Sequence, residues 1–159
     1  MDRKEIKRVF RSVAQQHGFK CQTSRYAWIV GNLQVQCSLD ASQWDSGMYI
    51  GVLIEPVNGN NKSAVLGDWI VLQYRVVDYD CPYRDMLRAL ESESETLSVS
   101  DASRIADWTM SHIKSQWPSL EAIARKALDE VLQVQIGALV SGGMKRWATA
   151  YVASLPKTS

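Results

Sequence analysis

The spacing of apolar residues changes twice along this chain, and the two changes restrict the folds that it can adopt. Over residues 3–17, apolar side chains recur at the interval of one helical face. From Leu33 to Leu39 they alternate with polar side chains, as in a strand with one buried face. After Asp80 the helical interval returns. This order predicts an α+β fold with an N-terminal helix, a four-stranded antiparallel meander sheet and a helical C-terminal half.

Four strands are predicted between the two helical regions, at residues 26–30, 33–39, 48–54 and 69–77. Gly31 and Asn32 suit a tight turn, and residues 55–63 are rich in turn-forming residues. The short links leave no room for crossover helices, so neighbouring strands are expected to run antiparallel.

The C-terminal half predicts four further helices. They are a short one after Pro82, one capped by Ser100, one that starts after Ser119, and one over Met144–Leu155. Residues 91–100 are rich in Ser and Glu and are predicted to form an exposed connector. The sequence thus predicts five helices, and the first is expected to cover the apolar face of the sheet.

Composition limits the class of protein. With 159 residues, 46% of them hydrophobic, and a formal net charge of +1, the chain is expected to form one domain over residues 1–159. The balanced charge argues against a nucleic-acid partner, and no apolar run is long enough to span a bilayer. A charged N-terminus without an apolar stretch argues against a signal peptide, so a cytoplasmic location is expected. Cys21, Cys37 and Cys81 lack metal-ligand spacing, which predicts free thiols and no metal. The sequence has no glycine-rich phosphate-binding motif, so no cofactor is expected.

The second face of the sheet is the leading candidate for a binding site. If the apolar side of strand 33–39 faces the helices, its polar residues face the other way. Amide, aromatic and guanidinium groups together suit the binding of a peptide or protein. A solvated polar face without a ligand is the alternative, because antiparallel sheets often have one. The candidate binding residues are Gln34, Gln36, Tyr49, Trp69, Gln73 and Arg75.

A hydrolase-like enzyme with a site near Cys81 and His112 is an alternative function. Cys81 lies at a predicted helix N-terminus, a position that lowers the pKa of a thiol. His112 would act as a general base if a nucleophile lay within hydrogen-bond reach. The structural alternatives are an unreactive thiol and a histidine that only packs. No catalytic residue is therefore assigned from the sequence.

Two other surfaces are candidates for contact with another chain. The Met144–Leu155 stripe would be the interface of a homo-oligomeric structural domain. Asp78, Asp80 and Asp85 form an acidic corner that suits a basic partner, although helix capping and solvated charge also explain it. Six tryptophans are a further clue. Exposure of both Trp44 and Trp69 would favour binding, whereas burial of all six would favour packing alone.

Short motifs occur in a fixed order along residues 1–130. They are Gly18-Phe19-Lys20, Asn32-Leu33-Gln34, Tyr49-Ile50, Gly67-Asp68-Trp69 with Arg75, and Trp117-Pro118-Ser119-Leu120. In this order they resemble domain-of-unknown-function family 4304, and the helix at residues 144–155 lies outside the resemblance. The resemblance implies a small bacterial α+β protein with no established activity. Members of such families often occur in toxin–immunity neighbourhoods, so it also implies an immunity-type protein that occludes a toxin-like partner.

Overall fold

One six-stranded antiparallel sheet organises the fold. The computed structural model describes residues 1–44, 47–57, 68–76 and 79–157. The strands follow one another across the sheet in chain order and are β1 Lys20–Gln22, β2 Arg25–Val30, β3 Leu33–Ala41, β4 Met48–Pro56, β5 Leu72–Arg75 and β6 Leu139–Val140. The α+β class is confirmed, but the prediction of four strands is wrong. The two strands that were not predicted are β1, with three residues, and β6, with two. Both are too short to show an alternating pattern.

The described part of the chain contains six α-helices, one more than predicted. They are α1 Arg3–Gln16, α2 Arg84–Ser92, α3 Val99–Gln116, α4 Leu120–Ala127, α5 Glu130–Val134 and α6 Gly142–Ser154. The helix predicted after Ser119 is divided because Asp129 caps a new helix, its carboxylate accepting a hydrogen bond from the backbone N–H of Val131 at 2.9 Å. None of these helices has both the length and the apolar character needed to cross a membrane.

The start of α3 differs from the prediction. Ser98, not Ser100, caps the helix: its hydroxyl accepts a hydrogen bond from the Asp101 backbone, and the Asp101 carboxylate accepts one from the Ser98 backbone. The segment predicted as an exposed connector contains a 3-10 turn, in which Ser94 is buried, and the following Leu97 is buried too. Ser119 caps α4 as predicted.

The core lies between the inner face of the sheet and the helices. α1 contacts β1, α2 contacts β4, and α3 packs against both α1 and β3. The alternation predicted for strand 33–39 is confirmed, since Leu33, Val35, Cys37 and Leu39 are all buried. The apolar stripe of the N-terminal helix is buried, and the helix meets the sheet at β1.

The C-terminal helix α6 uses its apolar stripe inside the chain. It packs against α4, and its Met144 and Ala148 are fully buried. At its first turn, a Cβ on Gly143 would overlap the main-chain oxygens of Asp68 and Trp69, so only glycine permits this close approach. The prediction of a homo-oligomer was based on the apolar Met144–Leu155 stripe. Much of that surface is used inside the chain and cannot serve as an interface.

The two most exposed tryptophans lie at opposite ends of the sheet. Trp44, in the segment between β3 and β4, is 92% exposed, and Trp69, just before β5, is 39% exposed. Leu72 of β5 pairs with Ile54, which is about 20 Å along β4 from Met48. Trp44 and Trp69 therefore cannot form one patch. Trp117 is fully buried, so the tryptophans serve packing as well as surface roles.

Candidate functional site

The register of the sheet defines which residues share its second face. Residues opposite each other in antiparallel strands point to the same side, so one row runs Arg25, Ser38, Gly51, Arg75 across β2 to β5. We call this side, which points away from the buried set of β3, the outer face. It comprises Lys20, Gln22, Arg25, Ala27, Ile29, Gln34, Gln36, Ser38, Asp40, Tyr49, Gly51, Leu53, Glu55, Gln73, Arg75 and Leu139.

A groove of about 420 Å³ runs over the centre of the outer face. Its floor is low at Ser38 and Gly51, where a Cβ on the glycine would stand 3.0 Å from the serine Oγ. Arg25 and Arg75 line it from β2 and β5, and Leu139 lines it from the C-terminal half of the chain. We call this concavity the outer groove.

The two arginines of the outer groove carry charge that the protein itself does not neutralise. Arg75 stacks on Tyr49, with its guanidinium carbon 4.4 Å from the ring centroid. Within the described ranges, neither Arg25 nor Arg75 has a carboxylate within ion-pair distance. Both guanidinium groups therefore keep their donors for solvent or a ligand.

The acidic side chains on this face bond to neutral donors instead. Glu55 accepts hydrogen bonds from Nε2 of Gln36 at 2.7 Å and from Nε2 of Gln34 at 3.4 Å. The carboxylate of Asp40, which also lines the outer groove, accepts a hydrogen bond from Ser38 Oγ at 3.1 Å. These bonds fix the amides and the carboxylates in place before any ligand arrives.

The structure places five of the six predicted binding residues on the outer face. Of these, Gln73 and Arg75 line the outer groove and are exposed, whereas Gln34 and Tyr49 do not line it. Gln36 lines the groove but is only 5% exposed, because its amide is held against Glu55. Little of its side chain is therefore open to a ligand, and its binding role stays a prediction.

Trp69 is the predicted binding residue that the structure moves off the outer face. The predicted strand 69–77 is shorter in the structure and starts at Leu72. Just before Leu72, Ser141 holds the backbone of Val71 through two hydrogen bonds of 3.0 Å. The Val71 N–H donates to Ser141 Oγ, and the Ser141 N–H donates to the Val71 carbonyl. Trp69 itself lies beyond the end of the sheet, and its carbonyl accepts a hydrogen bond from the Ser141 hydroxyl.

Sequence reasoning missed several residues of the outer groove. Arg25 had a signal, since the inward set of Tyr26, Trp28 and Val30 implies that Arg25 points outward. Asp40 extends the same alternation from Ser38. Leu139 had no comparable signal, because β6 has only two residues and lies far along the chain from its partner β5.

Cys81 does not have the environment of a reactive thiolate. It is buried, and that burial raises the pKa of its thiol. α2 begins at Arg84, so Cys81 lies outside the helix, and its Sγ accepts a hydrogen bond from the Tyr83 backbone N–H at 3.3 Å. The expectation of a lowered pKa at this position is wrong, because desolvation of a thiolate outweighs the effect of the nearby helix.

His112 belongs to a buried aromatic cluster. Trp117 Nε1 donates to the Tyr74 hydroxyl at 2.8 Å, so the hydroxyl proton is free to be donated to His112 Nε2, 3.1 Å away. A neutral imidazole whose Nε2 accepts the Tyr74 proton fits this contact. Burial, with a smaller effect from the charge of Lys126, lowers the pKa of His112 to about 4. The nitrogen that a general base would use is already hydrogen-bonded to Tyr74.

A shallow pocket of about 460 Å³ lies beside this cluster and is lined by Tyr79, Asp80, Trp108, Ser111, His112, Ser115 and Gln116. The Trp108 ring stacks on the imidazole at 4.9 Å. The hydroxyl of Ser115 donates to the backbone oxygen of His112 at 3.0 Å, not to its ring. Ser115 and His112 therefore do not form a nucleophile–base pair.

Of the acidic corner, Asp80 and Asp85 are exposed, and Asp78 lies outside the described residues.

Alkylation of Cys81 is expected to be slow. Because burial raises the pKa of this thiol and covers it, iodoacetamide at pH 7.5 should modify it at least about tenfold more slowly than a free thiol. Mass spectrometry of tryptic peptides would give the rate at each cysteine, with protein unfolded in guanidinium as the control. Rapid modification of Cys81 in the folded protein well below pH 8 would contradict this expectation and favour the enzyme alternative.

Comparison of this chain with protein-family models, curated proteins and solved structures gave no match. The resemblance to domain-of-unknown-function family 4304 stays a prediction. The outer groove itself combines a concave floor with two arginines that have no ion pair in the described ranges.

Proposed function

We propose that this protein is a non-catalytic binding protein and that the outer groove is the place where it contacts its partner. The observation that carries the proposal is the pair of guanidinium groups, Arg25 and Arg75, at a groove whose floor is formed by small residues. Concave surfaces with a few fixed polar groups are typical binding sites. Arginine is also enriched where proteins contact one another.

The polar groups of the site are held in position before binding. Stacking on Tyr49 restricts the guanidinium of Arg75, and Glu55 restricts the amide of Gln36. A side chain that is already ordered loses less conformational entropy when a ligand binds, so the net affinity is higher. This ordering supports a binding role for the outer face rather than a role as a solvated surface without a ligand.

The proposed mechanism is occlusion. A partner segment seated in the outer groove would be covered by the sheet, and the surface it carries would be withheld from other molecules. An immunity-type role, in which that surface belongs to a toxin-like partner, rests only on the sequence resemblance. The enzyme alternative has less support, because Cys81 is buried and the ring of His112 is engaged by Tyr74.

Filling the outer groove tests this proposal. Peptides would be selected from a random displayed library on the wild-type protein, and their affinities measured by fluorescence anisotropy. Gly51→Phe should place a ring over the floor and weaken the selected peptides at least tenfold. Ile29→Phe, on the outer face but not lining the groove, should leave them unchanged.

Thermal unfolding would check that Gly51→Phe is folded. Ser38→Tyr is a second filling variant at a half-exposed position, in case the glycine does not tolerate a ring. Selected peptides that bind both filled variants as tightly as the wild type would overturn the proposal. A selection that yields no binding peptide would count against it equally.

A further inference from the structure

We infer that the outer groove takes an acidic, extended polypeptide segment whose carboxylates bind Arg25 and Arg75. This inference rests on the proposed binding function and adds the chemistry of the partner. Both arginines line the groove, are exposed and lack an ion pair in the described part of the chain. A guanidinium keeps its charge at any physiological pH and binds a carboxylate through two parallel hydrogen bonds.

The register positions between the two arginines carry no charge of their own. In the same row, between Arg25 and Arg75, lie the neutral residues Ser38 and Gly51. The next row along the strands contains Gln73 together with Gln36, Leu53 and Leu139, and it is also uncharged. That part of the groove therefore suits an acidic ligand that also carries apolar or neutral groups.

The Asp40 carboxylate reaches into the arginine row, because its Oδ2 would lie 3.8 Å from a Cβ on Gly51. Asp40 lies two residues beyond Ser38 on β3, so its Cα is about 7 Å from the arginine row. Its carboxylate already accepts a hydrogen bond from Ser38 Oγ. We expect the acidic groups of the ligand at the two guanidinium groups, on either side of Asp40, and any basic group of the ligand near Asp40 itself.

The spacing of the arginines selects an extended ligand. Three interstrand steps separate β2 from β5, which places the Cα atoms of Arg25 and Arg75 about 14 Å apart. In an extended chain, residues i and i+4 point to the same side and are also about 14 Å apart. Acidic residues at positions i and i+4 thus match the two arginines, whereas a pair at i and i+3 points to opposite sides.

Synthetic peptides test this inference directly. A fluorescein-labelled peptide of sequence GETVTEG carries Glu at i and i+4, GETVETG carries them at i and i+3, and GQTVTQG has no acidic side chain. Anisotropy titrations in 50 mM salt should give the tightest binding for the first peptide, at least about fivefold tighter than the second. The third should bind at least tenfold more weakly than the first.

Charge-removing variants locate the contact. Arg25→Gln and Arg75→Gln should each weaken the first peptide several-fold, and the double variant at least tenfold. Lys20→Gln is the matched control, because Lys20 pairs with Ala27 on the outer face and does not line the groove. Raising the salt to 0.5 M should weaken binding of the acidic peptide to the wild type. All replaced side chains are exposed, and circular dichroism would verify folding.

The outcomes separate this inference from the proposed function. Equal affinity for the Glu and Gln peptides, or a double variant that binds like the wild type, would overturn the acidic ligand. If library-selected peptides without acidic residues still lost affinity in Gly51→Phe, the inference would fail while the binding function stood. Tighter binding of a single-stranded oligonucleotide than of the acidic peptide would also overturn the inference, in favour of a phosphate-bearing partner.

Discussion

Acidification from pH 7 to pH 4.5 is expected to lower the free energy of unfolding by about 2 to 3 kcal/mol through His112 alone. In the folded protein the pKa of this imidazole is about 4, because the ring is buried in the aromatic cluster, whereas its ordinary value is 6.5. Between these two values the unfolded chain binds more protons than the folded one. The contribution is therefore fully present above pH 6.5 and is lost as the pH falls toward 4.

Carboxylates also titrate in this range, so a matched variant must isolate the histidine. His112→Gln places an amide oxygen near the position of Nε2, where it can still accept the hydrogen bond from the Tyr74 hydroxyl. Urea unfolding between pH 4.5 and pH 7.5 should show a steeper pH dependence for the wild type than for His112→Gln. Parallel stability curves for the two proteins would show that His112 is not held neutral.

Tyr74→Phe is expected to destabilise the protein by about 2 to 4 kcal/mol. The hydroxyl lies between two buried partners: it accepts a hydrogen bond from Trp117 Nε1 and shares one with His112 Nε2. Removing it leaves a donor and an acceptor without a partner inside the core, and each such group costs about 1–3 kcal/mol. The midpoint of urea unfolding at pH 7 would measure the loss.

Tyr79→Phe is the control for this effect. Tyr79 contacts the same cluster, with its ring 5.0 Å from that of Tyr74, but its hydroxyl makes no hydrogen bond within the described ranges. Its removal should change the free energy of unfolding by less than about 0.5 kcal/mol. Equal losses for Tyr74→Phe and Tyr79→Phe would mean that the hydrogen-bonded chain through Tyr74 contributes little to stability.

Both effects concern the cluster that the sequence suggested as a catalytic alternative. Its geometry is that of a core: Trp117 is fully buried, and Trp108 and Tyr79 pack on the imidazole of His112. Every hydrogen bond observed there satisfies a buried polar atom. Substitutions in this cluster are therefore expected to lower the stability of the protein and not to alter a catalytic activity.

Local patterns predicted the parts of the fold that depend on neighbours in sequence. The apolar stripe of residues 3–17 and the alternation of Leu33 to Leu39 are both confirmed. The Ser119 cap is confirmed as well. Such features arise from hydrogen bonds and side-chain directions within a few residues, so the sequence displays them. The predicted cap of α3 is wrong. Ser98 and Ser100 are both good capping residues, but only Ser98 has an acidic partner three residues later.

The candidate site was predicted only in part. Alternation indicated that Gln73 and Arg75 share a face with Gln34, since each lies on a strand with a clear inward set. It could not indicate that Gln36 is buried by Glu55, because that hydrogen bond depends on how β3 and β4 pair. The exposure of Trp44 agrees with a surface role, but Trp44 and Trp69 lie too far apart to act together.

The sequence by itself determined the α+β class, the first helix, the central strands and the polarity of the outer face. Those properties follow from periodicity, which is a local consequence of how side chains alternate on strands and repeat on helices. Only the tertiary structure decided that Arg25 and Arg75 stand in one row above Ser38 and Gly51, and that Leu139 borders them. A groove needs residues from distant parts of the chain at one place, and strand register and the return of β6 to the sheet are long-range choices that no local pattern records.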